Sequence, residues 1–130
     1  MIKSIDHIVL PASDLKRTIT FYCDALGMEL QQFMPPDGSA ERLTLIFGQQ
    51  KINLHDATAP FSPHVHPPTT DALDLCFLSD VGRQTGSRIW QRMVLPLNRG
   101  LYPAPVPLDR SIRSMSAIPD GNLVKIGNPA

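Results

Sequence analysis

The chain is poor in the features that give many proteins away. Of its 130 residues two are cysteine, one is tryptophan and 6% are aromatic, and twelve Lys and Arg balance twelve Asp and Glu. A balanced charge gives no global pull toward nucleic acid or an anionic membrane. Cys23 and Cys76 sit in apolar-periodic segments without CxxC spacing, so two packed, reduced thiols in a cytoplasmic chain are expected rather than a disulfide. No apolar run is long enough to span a bilayer, and the opening MIKSIDHIVLP is too short in apolar residues for a secretory leader. There is no Gly-rich phosphate loop, nucleophile elbow or zinc-finger spacing; the GQQ at 48–50 reads as a hairpin turn. The chain length suits one compact domain or two half-size modules, and neither half alone buries much surface.

Proline, by contrast, is abundant: thirteen residues, clustered at 60–68 and 96–107. Between these breaks the periodicity is readable. Ile5–Leu10 predicts a strand closed by Pro11, with Ile5, His7 and Val9 on one face. Ser13 is the expected N-cap of a helix whose apolar stripe is Leu15, Ile19, Tyr22 and Leu26 and whose stop is Gly27. Met28–Phe33, Arg42–Phe47 and Lys51–His55 then read as strands, with Ile52 and Leu54 facing one way and Lys51, Asn53 and His55 the other. The order through residue 55 is β-α-β-β-β. After a linker at 58–70, strands are expected at Leu73–Leu78, Ser111–Ala117 and Leu123–Ile126, with a turn at PDGN. Ile89–Leu97 has only partial helical spacing, and 99–110 is irregular.

An internal echo links the halves. SIDHIVL superposes on DALDLCFL with His7 opposite Asp74, and KINLHD on LVKIGN with Asn53 opposite Lys125. The pattern predicts an α+β chain of two βαβββ modules, one at about 2–57 and one at about 71–128, the second irregular at 79–111.

DHIVL, FYCDALGME, FGQQKINLH, ALDLCF and PDGNLVKI, in that order, resemble the vicinal-oxygen-chelate superfamily of glyoxalases, bleomycin-resistance proteins and dioxygenases, in its small glyoxalase-domain branch. The resemblance implies modules that curl a mixed sheet into a cup with helices outside, often completed in a homodimer. It also implies a divalent metal (Fe, Mn, Ni or Zn) held from the first and last strand of each module, at positions that fall on His7, Asn53, Asp74 and Lys125. Where the family usually has glutamate this chain has Lys125, and residues 79–111 do not resemble the expected helix and strand.

His7 offers a neutral imidazole and Asp74 a hard oxygen, both suitable for a divalent ion. The competing readings are a packed, hydrogen-bonded His7 and an edge-strand Asp74 facing water. His55, on the face of Asn53, would complete a two-histidine, one-carboxylate set with His7 and Asp74, suited to Fe(II) or Mn(II); alternatively it ends the strand and points to solvent. Lys125 would repel a metal or pair with Asp74, and Lys125→Glu is expected to raise metal affinity. His64 and His66 have ligand-like spacing on a proline-rich linker.

The leading expectation is glyoxalase-like lyase or isomerase chemistry, in which a metal stabilises an enediolate and a carboxylate moves the proton. The usual base falls at Lys125, leaving Asp74 as substitute, with Asn53 and Phe47 lining the substrate pocket. A ring-cleaving dioxygenase is the second enzyme reading. A non-catalytic binding or resistance protein, with Phe33, Phe47, Phe61 and Trp90 as pocket walls, or a partly degenerate copy, are the others.

Overall fold

The computed structural model describes residues 1–64, 66–70, 72–79, the backbone of 112–117, and 119–127. It divides into two compact units, Met1–Asp71 and Ala72–Ala130.

In the first unit, β1 (Ile8–Ala12) leads to helix α1 (Leu15–Thr20), a π-helical turn (Phe21–Ala25), and strands β2 (Glu29–Phe33), β3 (Arg42–Phe47) and β4 (Gln50–Asp56). The sheet order is β1-β4-β3-β2, with β1 parallel to β4 and the other pairs antiparallel. This is the expected β-α-β-β-β order. β1 differs from expectation in starting at Ile8, so that Ile5 and His7 precede it, and in running through Pro11 to Ala12, which is possible because β1 is an edge strand within this sheet, where a missing N–H costs no ladder bond.

The N-cap is Asp14 rather than Ser13: its extended backbone lets Oδ1 accept from Arg17 N at 2.9 Å. The apolar stripe is also displaced. Phe21, Tyr22 and Thr18 are buried, while Leu15, Ile19 and Leu26 are only half-buried, because the π turn widens the helical period and rotates two adjacent aromatics inward. Gly27, at φ 70°, ends the helix, donating to Cys23 O at 3.0 Å.

Alternation sorts the sheet into two faces. Leu10, Ala12, Leu45, Ile52 and Leu54 are buried and form the core with Phe21, Tyr22 and Met28. The opposite face is mostly polar and carries the candidate site.

In the second unit β5 (Asp74–Leu78), β6 (Ile112–Ala117) and β7 (Leu123–Gly127) form a sheet ordered β5-β7-β6. The expected PDGN turn contains a short 3-10 segment, Pro119–Gly121, with Asp120 at φ 68°. Asn122 follows, buried, and its Oδ1 accepts from Leu73 N at 2.9 Å. β5 and β7 are parallel, as β1 and β4 are, and the registers correspond. Val9, two residues after His7, pairs with Asn53, and Cys76, two residues after Asp74, pairs with Lys125. Cys76 is exposed, a correction to the expected packed thiol, because its strand parity sets it with Asp74 and away from Leu75 and Phe77. The partial helix at Ile89–Leu97, Trp90 and the irregular 99–110 segment lie outside the described residues.

Candidate functional site

The registers of the four-stranded sheet define three rows on its polar face. Pairing sets Asn53 between Val9 and Thr44, and Thr44 beside Gln31. One step along the strands, Lys51 pairs with Ile46 and Ile46 with Glu29, and His7 extends the line of β1 toward this row. One step the other way, His55 pairs with Pro11 and Arg42 with Phe33. Since Leu43 pairs with Leu54, Arg42 and His55 are the next cross-strand neighbours on this face.

Several polar groups in these rows are already partnered. Asp6 Oδ2 bridges His7 Nδ1 at 2.8 Å and Lys51 Nζ at 3.0 Å. The hydrogen bond from His7, then that from Lys51, holds the exposed Asp6 carboxyl below the usual carboxylate range. Thr44 Oγ1 donates to Asn53 Oδ1 at 3.0 Å. His55 is 8% exposed, and its ring lies 4.1 Å from the Phe61 ring at 39°. That corrects the expectation of a solvent-pointing His55: the proline-rich segment after β4 brings Phe61 back over it. The Arg42 guanidinium also lies over Phe61, 5.3 Å from the ring centre. Burial lowers the His55 pKa below the ordinary histidine value, and the positive fields of His64, Arg42 and His7 lower it further.

In the second unit, Lys125 Nζ donates to Asp74 Oδ2 at 2.7 Å. The pair is diagonal across the parallel β5 and β7 ladder and is half-exposed, with Lys125 at 23% and Asp74 at 56%. Asp74 on an edge strand facing water is the alternative reading that the sequence left open.

The first unit thus brings His7, Asn53 and His55 to one sheet face, and the second brings Asp74 and Lys125 to another. Phe47 is not on the face of Asn53. It pairs with Gln50, two residues before Ile52, so strand parity sets it on the core side. His64 and His66 are exposed on the linker. Sequence reasoning missed Arg42, Thr44 and Asp6 as members of the site. The alternation of Arg42 and Thr44 with Leu43 and Leu45 was visible, but their partners on β4 depend on a register that no local pattern encodes.

Two of the positions that the resemblance implies are poor donors for a divalent cation as they stand. Of the four positions implied by the resemblance, Asn53 is neutral and tied to Thr44, and Lys125 is a cation set on the Asp74 carboxylate. Among the described residues, no three His, Cys, Asp or Glu side chains converge as a metal site.

Residues 4–93 match the Glyoxalase/Bleomycin resistance protein/Dioxygenase superfamily. The chain belongs to that superfamily. Virulence protein STM3117 of Salmonella typhimurium is 35% identical over 97% of this chain and 84% of the relative. Its crystal structure aligns with a TM-score of 0.76 at 34% identity, covering 100% of this chain and 99% of that one. An integron cassette protein from the mobile metagenome of V. cholerae gives 0.78 at 30% identity, covering 100% and 98%. TnmS3, an antibiotic binding protein from Streptomyces sp. CB03234, shares the superfamily fold at 22% identity and a TM-score of 0.63, covering 99% and 98%. Among the described residues of this glyoxalase-superfamily chain, no helix is long and apolar enough to cross a membrane.

Proposed function

We propose that this chain is a metal-independent small-molecule binding member of the glyoxalase superfamily, with its ligand on the polar face of the β1–β4 sheet. The observation that carries this reading is the Lys125–Asp74 ion pair at 2.7 Å. An ammonium on the carboxylate neutralises the charge a divalent ion would need and repels that ion. The same pair weakens the enediolate mechanism. The position of the expected base is a lysine, and its substitute, Asp74, is engaged by that lysine. Asn53, Thr44 and Arg42, beside exposed apolar groups at Val9 and Phe33, are instead what a ligand-binding face requires: a few polar groups set among apolar ones.

The test is elemental analysis of the dialysed full chain and of Lys125→Glu, with ligand screening by NMR in EDTA. The expected result is substoichiometric metal in the unmodified chain, more metal in Lys125→Glu, and fragment-induced shifts on the β1–β4 face despite chelator. Near-stoichiometric Fe, Mn, Ni or Zn in the unmodified chain, with fragment binding abolished by EDTA, would overturn the reading.

A further inference from the structure

One row of the polar face has a chemistry that its neighbours lack. Phe33, Arg42 and His55 lie side by side across β2, β3 and β4, and Phe61 lies over both Arg42 and His55. Arg42 is exposed and stands between two phenylalanines, Phe33 beside it in the ladder and Phe61 above. Phe33 is 55% exposed, a large apolar side chain left open on a sheet edge.

The Arg42 guanidinium is not paired with an acid among the described residues, where the ion pairs join His7 and Lys51 to Asp6 and Lys125 to Asp74. The acid that feels Arg42 is the fully exposed Asp37 of the β2–β3 turn, and its carboxyl is held chiefly by Ser39. The groups whose fields reach His55 are His64, Arg42 and His7, each a cation or a potential one. With no acid bound to it among the described residues and its place over the Phe61 ring, the guanidinium keeps its planar fork of donors for an anion. Aromatic surface on two sides favours an anion carried on a flat ring.

We infer that the Phe33–Arg42–Phe61 corner is a subsite for an aryl carboxylate, whose carboxylate is held by the Arg42 fork and whose ring lies against Phe33. The inference rests on the reading of the β1–β4 face as a ligand-binding surface and adds the class of ligand. A carboxylate matches one guanidinium fork in shape and charge, whereas the corner offers no second permanently charged group of the kind a phosphate dianion draws on. Asn53 and Thr44, in the adjoining row, supply neutral hydrogen-bonding groups for a ring substituent.

The experiment uses the full chain and three probes of one ring system: 2-naphthoate, 2-naphthol and 2-naphthylmethylamine. Binding is followed by NMR amide shifts and by calorimetry, in EDTA. The expected result is that 2-naphthoate perturbs Phe33, Arg42 and Phe61 and binds at least tenfold more tightly than the other two. Arg42→Gln should reduce 2-naphthoate affinity tenfold or more and leave 2-naphthol unchanged, and Phe33→Ala should weaken both. Arg42 is exposed, so the folded spectrum of Arg42→Gln should match that of the unmodified chain. Equal binding of acid and alcohol, or a 2-naphthoate affinity indifferent to Arg42→Gln, overturns the inference. If the alcohol or amine shifts this face while the acid does not, the ligand class falls and the binding face stands. If none of the three shifts it, the ligand class again falls, and the face is decided by the wider fragment screen.

Discussion

At the scale of single residues, His55 shows how packing changes what a side chain can do. A histidine at the end of a strand would ordinarily titrate freely. Here Phe61 covers the ring, and burial, reinforced by the positive fields of His64, Arg42 and His7, disfavours the imidazolium. The folded-state pKa therefore lies below the unfolded one. The stabilisation this gives is present above the ordinary histidine pKa and is lost as pH falls through the lowered folded value. An NMR titration should find His55 titrating below the ordinary histidine value. Phe61→Ala should bring it back toward the ordinary value, and an unmoved midpoint in that variant would mean that Phe61 does not shield the ring. Asp14 gives a second expectation at this scale. Its carboxylate accepts from Arg17 N, so Asp14→Ala should cost about 1 kcal/mol in chemical denaturation, and a loss near zero would mean that Asp14 does not cap the helix.

Elements were legible in the sequence to the degree that local pattern determines them. β3 falls at Arg42–Phe47 as alternation alone predicts, because Leu43, Leu45 and Phe47 share one side and a strand has a period of two. The helix was legible in place but not in face. A stripe at Leu15, Ile19, Tyr22 and Leu26 assumes a constant α-helical period, and the π turn over Phe21–Ala25 breaks that assumption where the aromatics enter the core. The site was legible as a set of residues on strands, since parity already put Lys51, Asn53 and His55 together. The meeting of Arg42 with His55 under Phe61 was not, because it depends on strand register and on a returning linker, neither of which is local. The two faces of the sheet should also differ in energetic weight. Leu45 is fully buried between β4 and β2, and Leu45→Ala should destabilise the chain by about 2–5 kcal/mol. Gln31, exposed on the polar face, should tolerate alanine within about 0.5 kcal/mol. Comparable losses for the two variants in urea denaturation would show that the polar face, not the helix side, carries the core.

At the scale of the whole molecule, the chain repeats one backbone idea in its two units. Both units join a first and last strand in parallel at the same register, which is why the echo of SIDHIVL in DALDLCFL has structural meaning. Among residues whose burial is described, Leu10, Ala12, Phe21, Tyr22, Met28, Leu45, Ile52 and Leu54 are buried in the first unit and Val124 in the second, with Pro11, Pro35 and Pro119 buried besides. β5 presents Asp74, Cys76 and Leu78 as exposed positions, and its ion pair with β7 is half-exposed, where such pairs contribute roughly 0–1 kcal/mol. Opening free energy follows buried apolar contact more than hydrogen-bond count, because ladder bonds exchange readily with water once their cover is lost. Native-state hydrogen exchange should therefore protect the amides of β3 and β4 more strongly than those of β5. The protection of β3 and β4 should fall in Leu45→Ala, while that of β5 should be the same in Lys125→Ala as in the unmodified chain to within a few fold. Equal protection in β4 and β5 would mean that the second unit draws its stability from contacts beyond its described strands. The Lys125–Asp74 pair would then be judged as part of a larger buried network rather than as a surface pair.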